Sequence, residues 1–337
     1  MIDLKTKYAG IDLKNPVIIG SCNLTSDTGI IKQLEAAGSG AIVYKSLFEE
    51  QIQLERYELD ERRQEYNERH AEMISIHPDI EHAGPKEHLG KLREVKKITE
   101  IPVIASLNAV NTETWLEYAM QIEKTGVDGL EINFYSVPKD FKTESYDIEN
   151  DQIDILKKLK ERMKIPVIVK LSPFYANPLN VVKKFDDAGA DAVVLFNKLF
   201  QPEINIDLEK HNTPLNFSNQ EDNKLSLRFA GLLHKNISAD ICANTGIHNG
   251  NDLIAMILAG ADCVQIVSTV YENGAGRITE ILSDIKEWMI KHNYRSLDDF
   301  RGKLSDYQLN DPFIYRRAQY VDILMNSENL LKKKTVI

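Results

Sequence analysis

Four stretches of the chain share one grammar: AAGSGAIVYK (36–45), KTGVDGLEINF (124–134), DAGADAVVLFN (187–197) and LAGADCVQIVS (258–268). In each, a helical tail reaches a glycine, a small or acidic residue follows, and a short apolar run begins. Gly38, Gly126, Gly189 and Gly260 stand where a helix closes in a left-handed cap. The runs behind them are apolar throughout, as parallel strands covered on both faces must be. IPVIASL (101–107) and IPVIVKL (165–171) form a second pair. Each puts proline at a strand start, where a missing N–H costs little. Amphipathic segments at 112–125, 151–163, 178–188 and 250–259 lie between these strands, with apolar residues at three-to-four spacing. Strands alternating with such helices predict a parallel α/β architecture.

Working outward gives eight strands: 16–20, 41–45, 102–107, 129–134, 167–171, 191–197, 239–244 and 263–267. Eight alternating units predict a closed (β/α)8 TIM barrel. The alternative, a doubly wound open sheet, usually carries a glycine-rich first turn, and GSCNLTSDTG after strand one has no G-x-G-x-x-G. LKTKYAGIDLKNP reads as an N-terminal hairpin able to plug the barrel bottom. Two βα connections are long, about 46–88 and 198–224. Long βα loops lie on the catalytic face of a barrel and are usually functional. The expected organisation is a barrel over 1–305 and a C-terminal extension over 306–337, ending in KKKTVI.

Composition bounds the partners. The chain has 337 residues, 43% of them hydrophobic, with a net charge of −10. A general nucleic-acid binder would need clustered positive charge instead. Cys22, Cys242 and Cys263 form no C-x-x-C pair, which fits free thiols in a reducing compartment. No signal-like segment opens the chain and no window approaches a membrane span, so a cytoplasmic protein is expected. His70, His77, His82 and His88 show no H-x-x-x-H spacing, and no metal site is expected.

In a barrel, polar residues at C-terminal strand ends face the active site. Those ends carry Gly20-Ser21-Cys22, Lys45-Ser46, Ser106 and Asn108, Asn133, Lys170, Asn197, Asn244-Thr245-Gly246, and Ser268-Thr269. Lys45 and Lys170 both end apolar strands. Either could snorkel to a polar rim; together, aimed at one cavity, they favour a ligand that carries or acquires negative charge. The ends of strands seven and eight are small and hydroxylated, as in the usual phosphate site of this fold. A bare structural reading makes Gly246 and Gly250 turn glycines. Phosphate, two lysines and several asparagines suit a flavin mononucleotide (FMN).

These motifs resemble the dihydroorotate dehydrogenase family over roughly residues 1–305. NPVIIGSCN resembles its strand-one NP-x-x-x-A-S-G, and the resemblance places Gly20 and Ser21 near the flavin. AIVYKS resembles T-K-S, which gives Lys45 the place of the lysine near flavin and substrate, followed by Ser46. VKLSPF resembles V-K-L-x-P, with Lys170 as the flavin-binding lysine. ICANTGIHNGNDLIAMILAGADCVQIVSTVY resembles the phosphate region, which carries Thr245, Gly246, Ser268 and Thr269 to phosphate binding. Asn108, Asn133 and Asn197 complete the expected cofactor set.

The family's catalytic loop reads N-x-S-[CS]-P-N, whereas this chain has NFYSVPK. Asn133 matches the first asparagine and Ser136 falls on the catalytic base. Tyr135 and Val137-Pro138 depart from the pattern, and the family's N-S-M-G loop has no counterpart in 46–90. The departures fall on substrate contacts. The resemblance implies an FMN-dependent dehydrogenase acting on CH–CH groups, which oxidises dihydroorotate in pyrimidine biosynthesis or works on a related cyclic substrate. Ser136 would take the proton and Lys45 would assist. A Schiff-base aldolase using Lys170 is the alternative enzyme, and a flavin-binding barrel without catalysis is the non-enzymatic one. No membrane-associating extension is seen, against the quinone-linked class. The soluble classes use fumarate or an iron–sulfur flavoprotein partner, and a homodimer is expected.

Overall fold

The computed structural model describes residues 2–53, 85–134, 141–199, 201–212, 217–309, 315 and 318–325. The chain opens with a hairpin, β1 (Thr6–Tyr8) and β2 (Ile11–Leu13). β3 (Val17–Ile19), α1 (Thr28–Ala36), β4 (Ala41–Val43) and the two-residue β5 (Leu47–Phe48) follow. Next come α2 (Pro85–Ile98), β6 (Val103–Asn108), α3 (Thr112–Glu123) and β7 (Gly129–Asn133). The alternation continues through α4 (Ser145–Arg162), β8 (Val167–Lys170), α5 (Pro178–Asp187) and β9 (Ala192–Leu195). An exposed hairpin, β10 (Glu203–Asn205) and β11 (Lys210–Asn212), occupies the second long connection. α6 (Asn223–Leu233), β12 (Asp240–Asn244), α7 (Gly250–Ala259), β13 (Cys263–Ile266), the short α8 (Ser268–Asn273), α9 (Gly276–Lys291) and α10 (Ala318–Met325) complete the order.

The parallel strands close on themselves. β4 pairs with β3 through Ile18 and Ala41, and with β6 through Ile42 and Val103. Around the ring the order is β4-β3-β13-β12-β9-β8-β7-β6. All eight expected strands are present and the open-sheet alternative is excluded. The hairpin at 203–212 was not expected, and α2 begins at Pro85, inside the span read as loop to 88.

The repeated grammar has a physical cause at the barrel bottom. Gly38, Gly126, Gly189 and Gly260 all have positive φ and end their helices. Two residues after the last three of them, an aspartate collars the start of the preceding strand. Asp128 accepts the Val103 N–H at 2.7 Å and meets Lys96 at 2.6 Å. Asp191 accepts the Val167 N–H at 2.7 Å and meets Lys160 at 2.5 Å. Asp262 accepts the Ile241 N–H at 2.8 Å and meets Arg301 at 3.1 Å. Each strand start thus has its first donor satisfied, which a buried sheet rim requires. Gly40 takes the equivalent place in the first repeat, because a Cβ there would lie 2.3 Å from the Asn15 carbonyl.

The lower part of the barrel interior is apolar. Ile18, Val43, Ile104, Ile168, Val194, Cys242 and Cys263 fill it, and Tyr8, Ala9 and Leu13 of the hairpin plug it from below. Cys242 and Cys263 are opposite in register, fully buried core thiols. Past Ser305, the Asp306 N–H reaches Gly231 O of α6, and Arg228 Nη1 of α6 donates to Tyr315 O at 3.3 Å. Among the described residues no helix is long and apolar enough to cross a membrane.

Candidate active site

Strand parity decides which side chains face inward, since alternate residues point to one side. Ile18, Val43, Ile104, Ile168, Cys242 and Cys263 are interior. Two residues further up each strand lie Gly20, Lys45, Ser106, Lys170, Asn244 and Gln265, all in one polar layer. On β7 the same layer holds Glu131, fully buried, and Asn133 stands above it opposite Lys170.

Two networks form this floor. The Ser46 hydroxyl bridges Ser21 at 3.0 Å and Ser106 at 2.6 Å, linking strands one, two and three. Across the barrel, the Glu131 carboxylate accepts from Gln265 Nε2 at 2.5 Å. Lys170 Nζ donates to Gln265 Oε1 at 3.3 Å and lies 3.5 Å from Glu131 Oε1. Gly20 sits over this triangle: a Cβ at position 20 would come within 2.8 Å of Val267 Cγ2 and 3.3 Å of Gln265 Oε1. Only glycine fits there without moving the layer beneath it.

Above the floor the polar groups are open. Lys45 is half-buried and has no ion-pair or hydrogen-bond partner among the described residues. The buried Asn108 amide makes no side-chain hydrogen bond among them either. Asn197 Nδ2 donates to Asn133 Oδ1 at 3.1 Å, which ties strands four and six. Beside this pair is a recess of about 230 Å³ lined by Phe174, Phe196, Lys198, Asp222 and Thr245, with Lys198 ion-paired to Asp222 at 2.6 Å. Cys22 is half-buried on the opposite wall. Burial pushes its thiol up, opposed by N–H groups of Leu24 and Thr25, the Tyr271 hydroxyl and the charge of Lys170.

The ends of strands seven and eight make the third element. Thr245 and Gly246 have φ of 74° and 76°. A β-branched residue in the left-handed region is a genuine outlier, and such outliers cluster at ligand sites. Thr245 Oγ1 and Asn244 Nδ2 both donate to Phe196 O, at 2.9 and 3.0 Å, and hold this turn. The N–H groups of Gly246 and Ile247 reach no acceptor among the described residues, nor do those of Ser268 and Thr269 at the start of α8. Ser268 Oγ bonds the Ser218 hydroxyl and N–H at 2.9 Å, and Thr269 Oγ1 donates to His248 O at 3.1 Å. Those hydroxyls brace the turn, and backbone donors of this kind, unpartnered among the described residues, are a donor set that suits an anion.

The structure therefore brings Gly20, Ser21, Lys45, Ser46, Asn108, Asn133, Lys170, Asn197, Thr245, Gly246, Ser268 and Thr269 to one end of the barrel. Ser136 lies outside the described residues, as do His70, His77 and His82. Sequence reasoning missed Glu131, Gln265 and Glu49. A charged or amide residue inside an all-apolar strand was the available signal for the first two. Glu49 lies behind the site. Burial works against its charge, but hydrogen bonds from Val110, Asn111, Gln53 and Thr114 win and hold its pKa below the usual carboxylate range. It anchors the segment after Lys45 to the end of strand three.

Comparison with known proteins agrees with this geometry. The family model described as dihydroorotate dehydrogenase matches residues 3–289. The chain is 28% identical over 317 residues to a Thermoplasma volcanium protein named dihydroorotate dehydrogenase B (NAD(+)), catalytic subunit, covering 90% of this chain and 98% of that one. A Methanocaldococcus jannaschii protein of the same name is 26% identical, over 86% and 94% of the two chains. The chloroplastic dihydropyrimidine dehydrogenase (NADP(+)) of Arabidopsis thaliana is 21% identical, over 90% of this chain and 78% of its own. With a family match across most of its length and the lysine-bearing strand ends assembled on one face, the chain belongs to the dihydroorotate dehydrogenase family.

Proposed function

We propose that the chain binds FMN on this face and oxidises a dihydropyrimidine ring, dihydroorotate or a close relative, at its CH–CH bond. The observation that carries the reading is that the half-buried Lys45 and the backbone N–H groups of Gly246, Ile247, Ser268 and Thr269 meet no partner among the described residues. Both suit an anion, and both stand at the strand-end face of the barrel. FMN presents a phosphate and a ring that gains electron density on reduction. Gly20 leaves the floor flat where the ring would lie.

When bound, FMN supplies the acceptor for a hydride. The residues do the rest. The phosphate belongs on the Thr245–Gly246 turn and the start of α8. Lys45 balances negative charge at the ring. The Asn133–Asn197 pair presents amides to a planar substrate, and Ser136 takes the proton from the carbon next to the one that loses hydride. Serine is a weak base unless its site is closed to water. An aldolase role for Lys170 is disfavoured because its nitrogen is already engaged by Glu131 and Gln265. The relatives named as catalytic subunits of an NAD(+)-linked dehydrogenase support electron transfer to NAD(+) through a further subunit; an iron–sulfur flavoprotein as that partner, a homodimeric assembly and a cytoplasmic location are part of the same proposal. The departures around Ser136 and the dihydropyrimidine dehydrogenase relative support a ring other than orotate as the competing substrate.

The test is spectroscopic. The purified protein should be yellow, and anaerobic dihydroorotate or dihydrouracil should bleach it. Ser136→Ala should keep FMN and slow bleaching about 10²-fold or more. A colourless protein that takes up no FMN would end the proposal. Bleaching at the wild-type rate by Ser136→Ala would remove that residue from it.

A further inference from the structure

The two lysines of the site differ in their surroundings. Lys45 has no counter-charge among the described residues, whereas Lys170 has one directly beneath it. Glu131 is fully buried, Gln265 is 1% exposed and Lys170 is 5% exposed, so solvent screens none of the three. Gln265 joins the charges: its Nε2 donates to one carboxylate oxygen while its Oε1 accepts from the ammonium. The other oxygen, Glu131 Oε1, makes no hydrogen bond among the described residues and has only Lys170 for a neighbouring cation, at 3.5 Å. An amide with both ends engaged cannot rotate without breaking a bond at each, so the ammonium is fixed in place. The strands that carry the triangle are β7, β8 and β13, so it spans the floor rather than one wall.

We infer that Glu131 is a positioning residue that cancels the charge of Lys170 and thereby sets how readily a flavin on this floor accepts electrons. The inference rests on the FMN reading. With Lys170 neutralised, Lys45 is the cation that favours the reduced ring, and the bound cofactor is a weaker oxidant than two exposed lysines would make it. A weaker oxidant passes its electrons onward more easily. A purely structural Glu131 would secure the floor and leave the potential alone.

Glu131→Gln keeps the shape and the bond to Gln265 but removes the charge. It should raise the affinity for reduced over oxidised FMN about tenfold, an upward midpoint shift of about 30 mV. Lys170→Gln should move the midpoint in the opposite direction, and the double variant should return close to wild type. Opposite shifts that cancel are a signature that loss of structure does not produce. Breaking a buried pair is far more destabilising than removing both partners. If Glu131→Gln fails to fold, the double variant alone decides: a midpoint near wild type supports the inference, and a clear fall shows that Lys170 acts uncancelled and overturns it. A yellow Glu131→Gln protein with the wild-type midpoint also overturns it and leaves the FMN reading intact. A protein that binds no FMN overturns both.

Discussion

At the strand starts, Asp128, Asp191 and Asp262 each accept a neighbouring strand's N–H, and each meets a cation, Lys96, Lys160 or Arg301. At the strand ends, Lys45, Asn108 and the N–H groups of Gly246 and Ile247 meet nothing among the described residues. The same strands supply both faces. One face pairs these groups and the other leaves them open. Groups buried or half-buried without partners are costly. Such a face persists only if something else meets the cost, and a ligand does so only when bound. The bottom face therefore carries stability, and the top face gives some up for function.

The sharpest way to break this contrast is Lys45→Met. Removing one preorganised charge from a redox site should slow substrate-driven flavin reduction by about 10²–10³-fold. Thermal stability should hold or rise, because Lys45 has no ion pair among the described residues. Stopped-flow bleaching and a melting curve on the same sample check both. A lower melting point with unchanged reduction would assign Lys45 to the scaffold.

The opposite experiment is Asp191→Ala. It strands the Val167 N–H and leaves Lys160 without its partner. The loss should be about 1–3 kcal/mol in denaturant unfolding. FMN affinity and bleaching rate should stay at wild-type values, because the collar lies at the far end of β8 from Lys170. A change in FMN affinity as large as that from Lys45→Met would show that the two faces are not separable.

The bottom face was legible because its devices repeat. Gly–x–Asp recurs at 126–128, 189–191 and 260–262, and a repeat reveals a rule without any structure. The strand-end lysines were legible because charge ending an apolar run is conspicuous. Glu131 and Gln265 were not, although GLEINF and CVQIVS display them. Their meaning depends on β7 and β13 facing each other across the barrel, a contact 134 residues apart in sequence. Likewise, nothing local says that Ser268 and Thr269 brace the turn with their hydroxyls and offer their N–H groups instead. The exposed hairpin at 203–212 follows from neither repeat nor motif.

The smallest expected effect probes Asp240, a strand-start carboxylate with no ion pair among the described residues. Asp240 starts β12 and accepts the Ala9 N–H of the plug at 2.7 Å. Burial first, then the nearby charge of Asp262, lifts its pKa from the usual 3.8 to about 6, with Asp191 adding to this and Arg301 opposing it. The folded value lies above the unfolded one, so the folded barrel holds this proton more tightly. Its favourable contribution is complete below the unfolded pKa and is lost as pH rises through about 6. The full shift would correspond to about 3 kcal/mol, and screening at this partly exposed site reduces it to about 1 kcal/mol. Asp240→Asn keeps an oxygen for the Ala9 N–H and carries no charge. It should melt higher than wild type at pH 8, with the gain shrinking through pH 6 and gone near pH 4. A gain that persists at pH 4, or a loss at pH 8, would mean that the carboxylate is needed by the plug as a charge and that the strand starts are as fully paired at Asp240 as at their other aspartates.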